Sequence, residues 1–159
     1  MQLRAFTMDD LEAVSTWFQD ETFREENRWM DQVEFEEMKQ WLETFVEHKQ
    51  ADFERFAIEQ DGQLIGYADI KYTRQKKAQL GVAIGNSTLW GHGLGGQAIG
   101  LLEDYARKKG IATFTAQTPE THKRARRMVE RLGYAEAKEV GYEDYLGEET
   151  RIVEYEKRA

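Results

Sequence analysis

Two stretches in the first third of the chain carry apolar residues at helical spacing, over positions 11–18 and 38–45. Each follows a capping pattern, which begins at Thr7 for the first stretch and at Asp31 for the second. The charged and aromatic segment between them, residues 20–31, breaks this periodicity. The pattern therefore predicts two amphipathic helices that are joined by a loop.

The middle of the chain changes to strand-like patterns. The dipeptide Asp61-Gly62 separates two apolar, β-rich runs, Phe53–Gln60 and Leu64–Tyr72, which is typical of a hairpin whose two turn residues need positive φ. Gln79–Ile84 alternates as a further strand. The other predicted elements are a first strand at Leu3–Phe6, a helix that ends at Gly110, a strand at Ile111–Gln117, a helix over His122–Leu132 and closing strands at Tyr134–Tyr142 and Thr150–Glu156. This order predicts an α+β domain with a mixed sheet.

The composition predicts a soluble globular protein that forms one domain over residues 1–159. Hydrophobic residues make up 40% of the chain and charged residues 33%. No apolar run approaches the ~20 residues that span a bilayer, and the N-terminus lacks the apolar core of a signal peptide. The absence of cysteine excludes disulfides and thiolate nucleophiles, and suits a reducing cytoplasm. The three histidines lack ligand-type spacing, so we expect no metal site.

The net charge of -8 is unevenly spread along the sequence. Residues 1–60 hold 6 Lys and Arg against 16 Asp and Glu, whereas residues 61–159 hold 16 against 14. Two interpretations stay open: an acidic surface that only improves solubility, or a first third that faces a cation while the rest faces an anion. The acidity argues against nucleic-acid binding, which needs a basic surface.

The segment Trp90–Gly96 places four glycines in six residues, between a strand and a long helix. Glycines let successive backbone N–H groups converge on an anion, and the helix adds the positive end of its dipole. The expected ligand is a phosphate or a pyrophosphate. The letters also fit the Gly-x-Gly-x-x-Gly dinucleotide pattern. A dinucleotide-binding site would have its glycine turn directly after a strand and an acidic residue about 20 positions later. Here the strand ends at Ile84, six residues before Trp90, and no carboxylate lies near Ile111, so this interpretation is weaker.

Two segments resemble motifs of a known family. Residues 84–98 read Ile-Gly-Asn-Ser-Thr-Leu-Trp-Gly-His-Gly-Leu-Gly-Gly-Gln-Ala and resemble motif A of the GNAT superfamily of N-acetyltransferases. Residues 122–134 are similar to the family stretch that ends in Glu-Lys-Leu-Gly-Phe. The resemblance covers nearly the whole chain and looks closest to the ribosomal-protein N-terminal and aminoglycoside 6′-type branches. It implies a mixed, mostly antiparallel sheet of about seven strands with four helices, in which the central strands splay apart.

The resemblance also implies acetyl-CoA as the co-substrate. Its pantetheine arm would enter the gap between the splayed strands, and its pyrophosphate would meet the amides of the glycine turn. The implied cofactor-binding residues are Val82, Ala83, Ile84, Trp90, Gly91, His92, Gly93, Leu94, Gly95, Gly96 and His122.

The chain departs from the family pattern at three positions. Trp90 stands where the family has Arg or Gln, and His122 stands where it has Asn. Val129 replaces the Tyr that often serves as the general acid, and valine cannot move a proton. The general acid is therefore unassigned.

Direct attack of an amine on a thioester needs a base, and Asp69 is the candidate, with Tyr67 as an auxiliary. Tyr67, Asp69 and Lys71 share one face of their predicted strand by period-2 alternation. Two interpretations of Asp69 stay open. It acts as the base, or it pairs with Lys71 or with a cross-strand arginine such as Arg55.

In the GNAT fold the first two helices and the loop between them line the acceptor side. Glu25, Glu26 and Trp29 in this loop are the candidate acceptor-binding residues, because carboxylates and aromatic rings attract a cationic amine. The basic residues between Lys123 and Arg127 would correspondingly lie near the anionic cofactor.

The predicted function is transfer of an acetyl group from acetyl-CoA to a primary amine in a ternary complex. The acceptor is a protein N-terminus or a small cationic amine, with neither a nucleic acid nor a membrane as partner and with a homodimer kept open as the assembly. Two alternatives stay open. The first is a non-catalytic acyl-CoA-binding or regulatory module of the same fold, and the second is a nucleotide-dependent oxidoreductase.

Overall fold

The computed structural model describes residues 1–27, 33–47, 50–145 and 148–159. The strands are β1 (Gln2–Arg4), β2 (Phe53–Gln60), β3 (Gln63–Arg74), β4 (Lys77–Ile84), β5 (Thr113–Pro119), β6 (Ala135–Tyr145) and β7 (Glu148–Arg158). The helices are α1 (Leu11–Gln19), α2 (Glu21–Glu26), α3 (Phe35–Glu47), α4 (Leu94–Lys108) and α5 (Lys123–Arg131). Single 3-10 turns lie at Met8–Asp10 and Ser87–Leu89.

The seven strands form one sheet in the order β1-β2-β3-β4-β5-β7-β6. All neighbours are antiparallel except β4 and β5, which are parallel. Apolar residues of α4 and α5 pack on one face of this sheet, and those of α1, α2 and α3 pack on the other. The mixed α+β architecture predicted from the sequence is therefore confirmed, with four long helices and the short α2.

The central strands β4 and β5 part after a short paired segment. Lys77, Ala78 and Gln79 pair with residues 113–115, and the pairing ends there although both strands continue. β4 stays fully paired with β3 on its other side as far as Ile84. The splay that the family resemblance implied is present, and it opens a gap within the sheet.

The loop predicted between the first two helices is partly helical. Residues 21–26 form α2 because the Asp20 carboxylate accepts hydrogen bonds from the backbone N–H groups of Thr22 and Phe23, at 3.0 and 3.4 Å. Phe23 is fully buried, with its ring against those of Trp17 and Phe18. The capping pattern predicted at Asp31 lies outside the described residues.

The hairpin predicted at Asp61-Gly62 is confirmed. Asp61 has a φ of 52° and Gly62 a φ of 77°, as the turn between β2 and β3 requires.

Gly66 allows a close approach of β3 to β4. A Cβ at this position would lie 2.1 Å from the carbonyl oxygen of Ala83, which is backbone and cannot move aside cheaply. We expect Gly66→Ala to lower the free energy of unfolding by about 2 kcal/mol, as overpacking typically does. Urea unfolding measures this change. Gly81→Ala is the control, because a Cβ there meets nothing within 4 Å, and equal losses in the two variants would contradict the clash.

Candidate active site

A cleft with a volume of about 710 Å³ fills the gap between β4 and β5 and continues between the glycine turn and α5. It brings together the sequence-predicted cofactor residues Val82, Ala83, Ile84, Trp90, Gly91, Gly93, Leu94, Gly95, Gly96 and His122. His92 is exposed on the turn and does not line the cleft. All but one of the cofactor-binding residues predicted from the sequence motifs thus line one cleft.

The glycine turn lines one end of this cleft. Gly91 and Gly93 have φ values of 83° and 77°, which side-chain-bearing residues rarely adopt. Gly93 is the N-terminal cap of α4, which begins at Leu94, two residues before the start near Gly96 that the sequence suggested. The first N–H groups of α4 have no acceptor within the helix, so they form an anion-binding end with the helix dipole.

Trp90 anchors the turn to the end of β4. Its indole N–H donates a hydrogen bond to the carbonyl oxygen of Ile84 at 2.9 Å. Its ring also lies 3.9 Å below the guanidinium of Arg124 from α5. The tryptophan that departs from the family pattern therefore joins the two walls of the cleft.

The α5 wall of the cleft is basic. Arg124, Arg127 and Arg131 line it at helical spacing, whereas Lys123 and Arg126 do not. Arg126 instead donates to the Tyr155 hydroxyl at 2.8 Å, which fixes α5 to the sheet. Arg131 was not among the predicted cofactor-binding residues, although its position four residues after Arg127 places it on the same helix face.

Two of the three predicted acceptor-binding residues lie on α2, and Trp29 lies outside the described residues. Glu26 lines the cleft, and its carboxylate accepts a short hydrogen bond from Arg124 and lies 3.2 Å from Nε2 of His122. Glu25 is exposed and does not line the cleft. Glu26 is therefore paired with Arg124 where it lines the cleft.

Asp69 pairs with Arg55, which is one of the two interpretations that the sequence left open. The guanidinium donates from Nε and Nη2 to the two carboxylate oxygens, at 2.5 and 2.6 Å. Arg55 also lies over the rings of Phe45 and Tyr67, at 4.2 and 4.5 Å from their centroids. Burial raises the pKa of Asp69, and the contact with Arg55 opposes this rise without cancelling it. Burial also raises the pKa of Tyr67 to about 12.

Asp69 and Tyr67 lie one strand away from the cleft, on the face that α1, α2 and α3 cover. Asp69 is opposite Gly81 in β4, and Tyr67 is opposite Ala83, so all four point to the same face. Gly81 and Ala83 line the cleft, and the space where a side chain of residue 81 would stand is open. Asp69 and Tyr67 therefore lie on the same face as these two cleft residues, although neither of them lines the cleft itself.

β5 and the buried side of α5 contribute cleft residues that were not predicted from the sequence. Gln117 and Thr118 line it beyond the last β4–β5 pair, and Met128 lines it beside Val129. Val129, at the position of the family tyrosine, is buried in this wall. The alternation of side chains along β5 can be seen in the sequence. The sequence does not specify which strands and helices lie beside β5.

Among the described residues, no group of three His, Asp or Glu side chains could hold a metal ion. The same part of the chain contains no helix that is long and apolar enough to cross a membrane.

Solved structures that resemble this chain have low sequence identity to it. A ribosomal-protein-alanine N-acetyltransferase from Brucella melitensis is 21% identical, with a TM-score of 0.76 and full coverage of both chains. A spermidine N-acetyltransferase chimera from Vibrio cholerae and hSSAT is 16% identical, with a TM-score of 0.78, over 99% of this chain and 96% of the other. An aminoglycoside acetyltransferase, AAC(6′)-Ib, in complex with coenzyme A is 17% identical, with a TM-score of 0.74, over 96% and 92%.

No curated protein sequence matches the chain. The model of the acetyltransferase (GNAT) domain matches residues 1–135, which is most of the sequence and includes the parted strands, the glycine turn and α5. The chain therefore belongs to the GNAT family of acetyltransferases.

Proposed function

We propose that this protein transfers an acetyl group from acetyl-CoA to a primary amine, which attacks directly while both substrates are bound. One observation carries the proposal: the cleft between the parted strands β4 and β5 continues as far as the glycine turn. This arrangement offers a slot for an extended acyl chain and, at its end, a cradle for a pyrophosphate.

The residues of the cleft fit coenzyme A. Backbone N–H groups at the start of α4 and the guanidiniums of Arg124, Arg127 and Arg131 suit its phosphates. The walls between the parted strands are apolar and suit the pantetheine arm, with contributions from Leu80, Val82, Ala116, Met128 and Val129. A solved aminoglycoside acetyltransferase of this fold contains coenzyme A, which supports the assignment.

Acetyl-CoA supplies the acetyl group as a thioester. The amine nitrogen bonds to the carbonyl carbon, the carbon–sulfur bond breaks, one proton leaves the nitrogen, and the sulfur leaves as the thiol. We assign the role of donor to the carbonyl oxygen to the backbone N–H groups of β4 beyond its last pair with β5. Asp69 is our candidate to take the proton, with Tyr67 beside it, and the open space before Gly81 admits the amine. Val129 cannot protonate the sulfur, so we assign that proton to solvent.

The proposed acceptor class is supported by solved structures of this fold, whose names specify a ribosomal-protein alanine, spermidine and an aminoglycoside. We propose a protein N-terminus or a small cationic amine for this chain. Glu25, Glu26 and Trp29 stay the candidate acceptor-binding residues, and Glu26 is placed at the rim of the cleft.

A non-catalytic acyl-CoA-binding module is the second candidate, and two observations favour it. Val129 stands where a proton donor is usual, and Arg55 engages both oxygens of Asp69. We further propose that residues 1–159 act as one domain, because one sheet contains strands from both ends of the described chain.

The experiment that separates the two candidates follows thiol release from acetyl-CoA with an alanine-starting peptide, spermidine and an aminoglycoside. We expect thiol release that depends on at least one amine, with the acetylated amine detected by mass spectrometry. Calorimetry with coenzyme A runs in parallel. Binding of coenzyme A without turnover of any amine would favour the non-catalytic module, and no binding would contradict both candidates.

A further inference from the structure

Gln117 of β5 faces the cleft just beyond the point where β4 and β5 part. It lies two residues after Thr115, the last residue of β5 that pairs with β4. Its side chain is exposed and lines the cleft. Phe114 and Tyr155 belong to the core on the α4 side, so the register of β5 with β7 places Gln117 on the opposite face, which is also the face of Asp69.

A buried carboxylate lies directly behind Gln117. Glu154 of β7 is opposite Gln117 in the sheet register and is only 7% exposed. Its Oε1 accepts a hydrogen bond from Nε2 of Gln117 at 3.3 Å. Nζ of Lys138 lies 3.6 Å from Oε2, which accepts no hydrogen bond in the described part of the chain.

This pairing fixes which way the amide of Gln117 points. A carboxylate accepts hydrogen bonds and donates none, so the NH₂ group of Gln117 must face Glu154. The carbonyl oxygen of the same amide is then left on the side of the cleft. Across the described residues no donor of the protein reaches this oxygen.

We propose that Gln117 binds the acceptor amine through its carbonyl oxygen and that Glu154 is the positioning residue that orients it. The inference rests on the proposed function and deepens it. Asp69 and Gln117 flank the parted strands on the same face, and Arg55 engages both oxygens of Asp69. The amide oxygen of Gln117, which accepts no hydrogen bond from the described residues, takes one N–H of the incoming amine and holds the nitrogen beside the gap, where Asp69 is the candidate to remove the proton.

The test compares Gln117→Met, Glu154→Gln and the double variant on the amine of the panel that the wild type acetylates. Methionine keeps the length of the side chain and removes the oxygen. We expect Gln117→Met to raise the KM for the amine roughly tenfold, the effect of one hydrogen bond, with kcat and the KM for acetyl-CoA nearly unchanged.

Glu154→Gln lets the Gln117 amide turn either way, so we expect a rise of about twofold to threefold in the same KM. In the Gln117→Met background this second change is expected to add nothing, because the oxygen that it orients is gone. Glu156→Gln is the control. Glu156 lies on the same face of β7 as Glu154, is more exposed than Glu154, and pairs with Lys77 and not with Gln117. The KM of the Glu156→Gln variant for the amine is therefore expected to match that of the wild type.

Four outcomes would overturn the inference. An unchanged KM for the amine in Gln117→Met would show that Gln117 does not contact the amine. A rise in the KM for acetyl-CoA instead would show that Gln117 binds the cofactor. Independent, additive effects of the two substitutions would show that Glu154 does not act through Gln117. A wild type that acetylates no amine overturns the proposed function together with this inference, and that result is distinct from the other three.

Discussion

Replacement of Gly93 by valine is expected to raise the dissociation constant for coenzyme A about 100-fold. Gly93 caps α4 with a φ of 77°, a conformation that a β-branched residue adopts only with strain. Relief of that strain would turn the first N–H groups of α4 away from the cleft. Loss of two hydrogen bonds to a charged phosphate, at about 1.5 kcal/mol each or more, corresponds to a factor of roughly 100.

The matched control for this prediction is Gly110→Val at the other end of α4. Gly110 has a φ of 86°, and a Cβ there meets nothing within 4 Å, as is also true of Gly93. Both variants should therefore lose similar stability, while only Gly93→Val should lose affinity. Calorimetric titration with coenzyme A and urea unfolding measure the two quantities. Normal affinity in Gly93→Val, or an equal loss in Gly110→Val, would contradict the phosphate cradle.

Replacement of Asp69 by asparagine is expected to reduce kcat/KM for the amine about 100-fold, the lower end of what a general base contributes. A base acts in its deprotonated form, so the wild-type rate should rise with pH through the pKa of Asp69. Burial raises this pKa, against the opposing effect of Arg55, and so moves the rise above the pH range of an ordinary carboxyl group. The variant has no such group and should lose this part of the pH profile.

The pH profile also separates a base from a structural ion pair. If Asp69 only holds Arg55 in place, Asp69→Asn lowers the melting temperature while the shape of the wild-type pH profile is retained. Asp61→Asn is the control, because Asp61 lies in the β2–β3 turn at a positive φ that asparagine tolerates. Its kcat/KM and pH profile are expected to match those of the wild type.

The local elements could be predicted because their signals lie within a few residues of one another. The turn at Asp61-Gly62 and the glycines from Gly91 to Gly96 specify backbone conformations directly. Helix α2 was missed for the opposite reason. Six residues are too few for a helix to be stable alone, and this one depends on its cap at Asp20 and on the burial of Phe23 by other helices.

The pairing of Asp69 with Arg55 could not be chosen from the sequence because it depends on a β-bulge. Counting outward from the turn without a bulge places Arg55 opposite Ala68, whose side chain lies on the other face. The register shifts by one residue between Ile58 and Glu59, and Arg55 then stands opposite Asp69.

The contact between Gln117 and Glu154 was missed for a related reason, since β5 and β7 are far apart in the chain and the sequence does not specify their register. By contrast, the cofactor residues were found because they are nearly contiguous along the chain.

Because β4 and β5 part, the hydrogen bonding of the β4 backbone depends on what lies between the two strands. Beyond Gln79, the amide groups of β4 that point toward β5 have no strand partner among the described residues, although β4 is central to the sheet. A chain-like ligand that bonds these amides acts as an additional strand and protects them from hydrogen exchange. A ligand that binds these amides binds only the folded protein, because the gap exists only there, and it therefore stabilises the folded state. The lifetime of the folded protein should increase with the concentration of its own co-substrate.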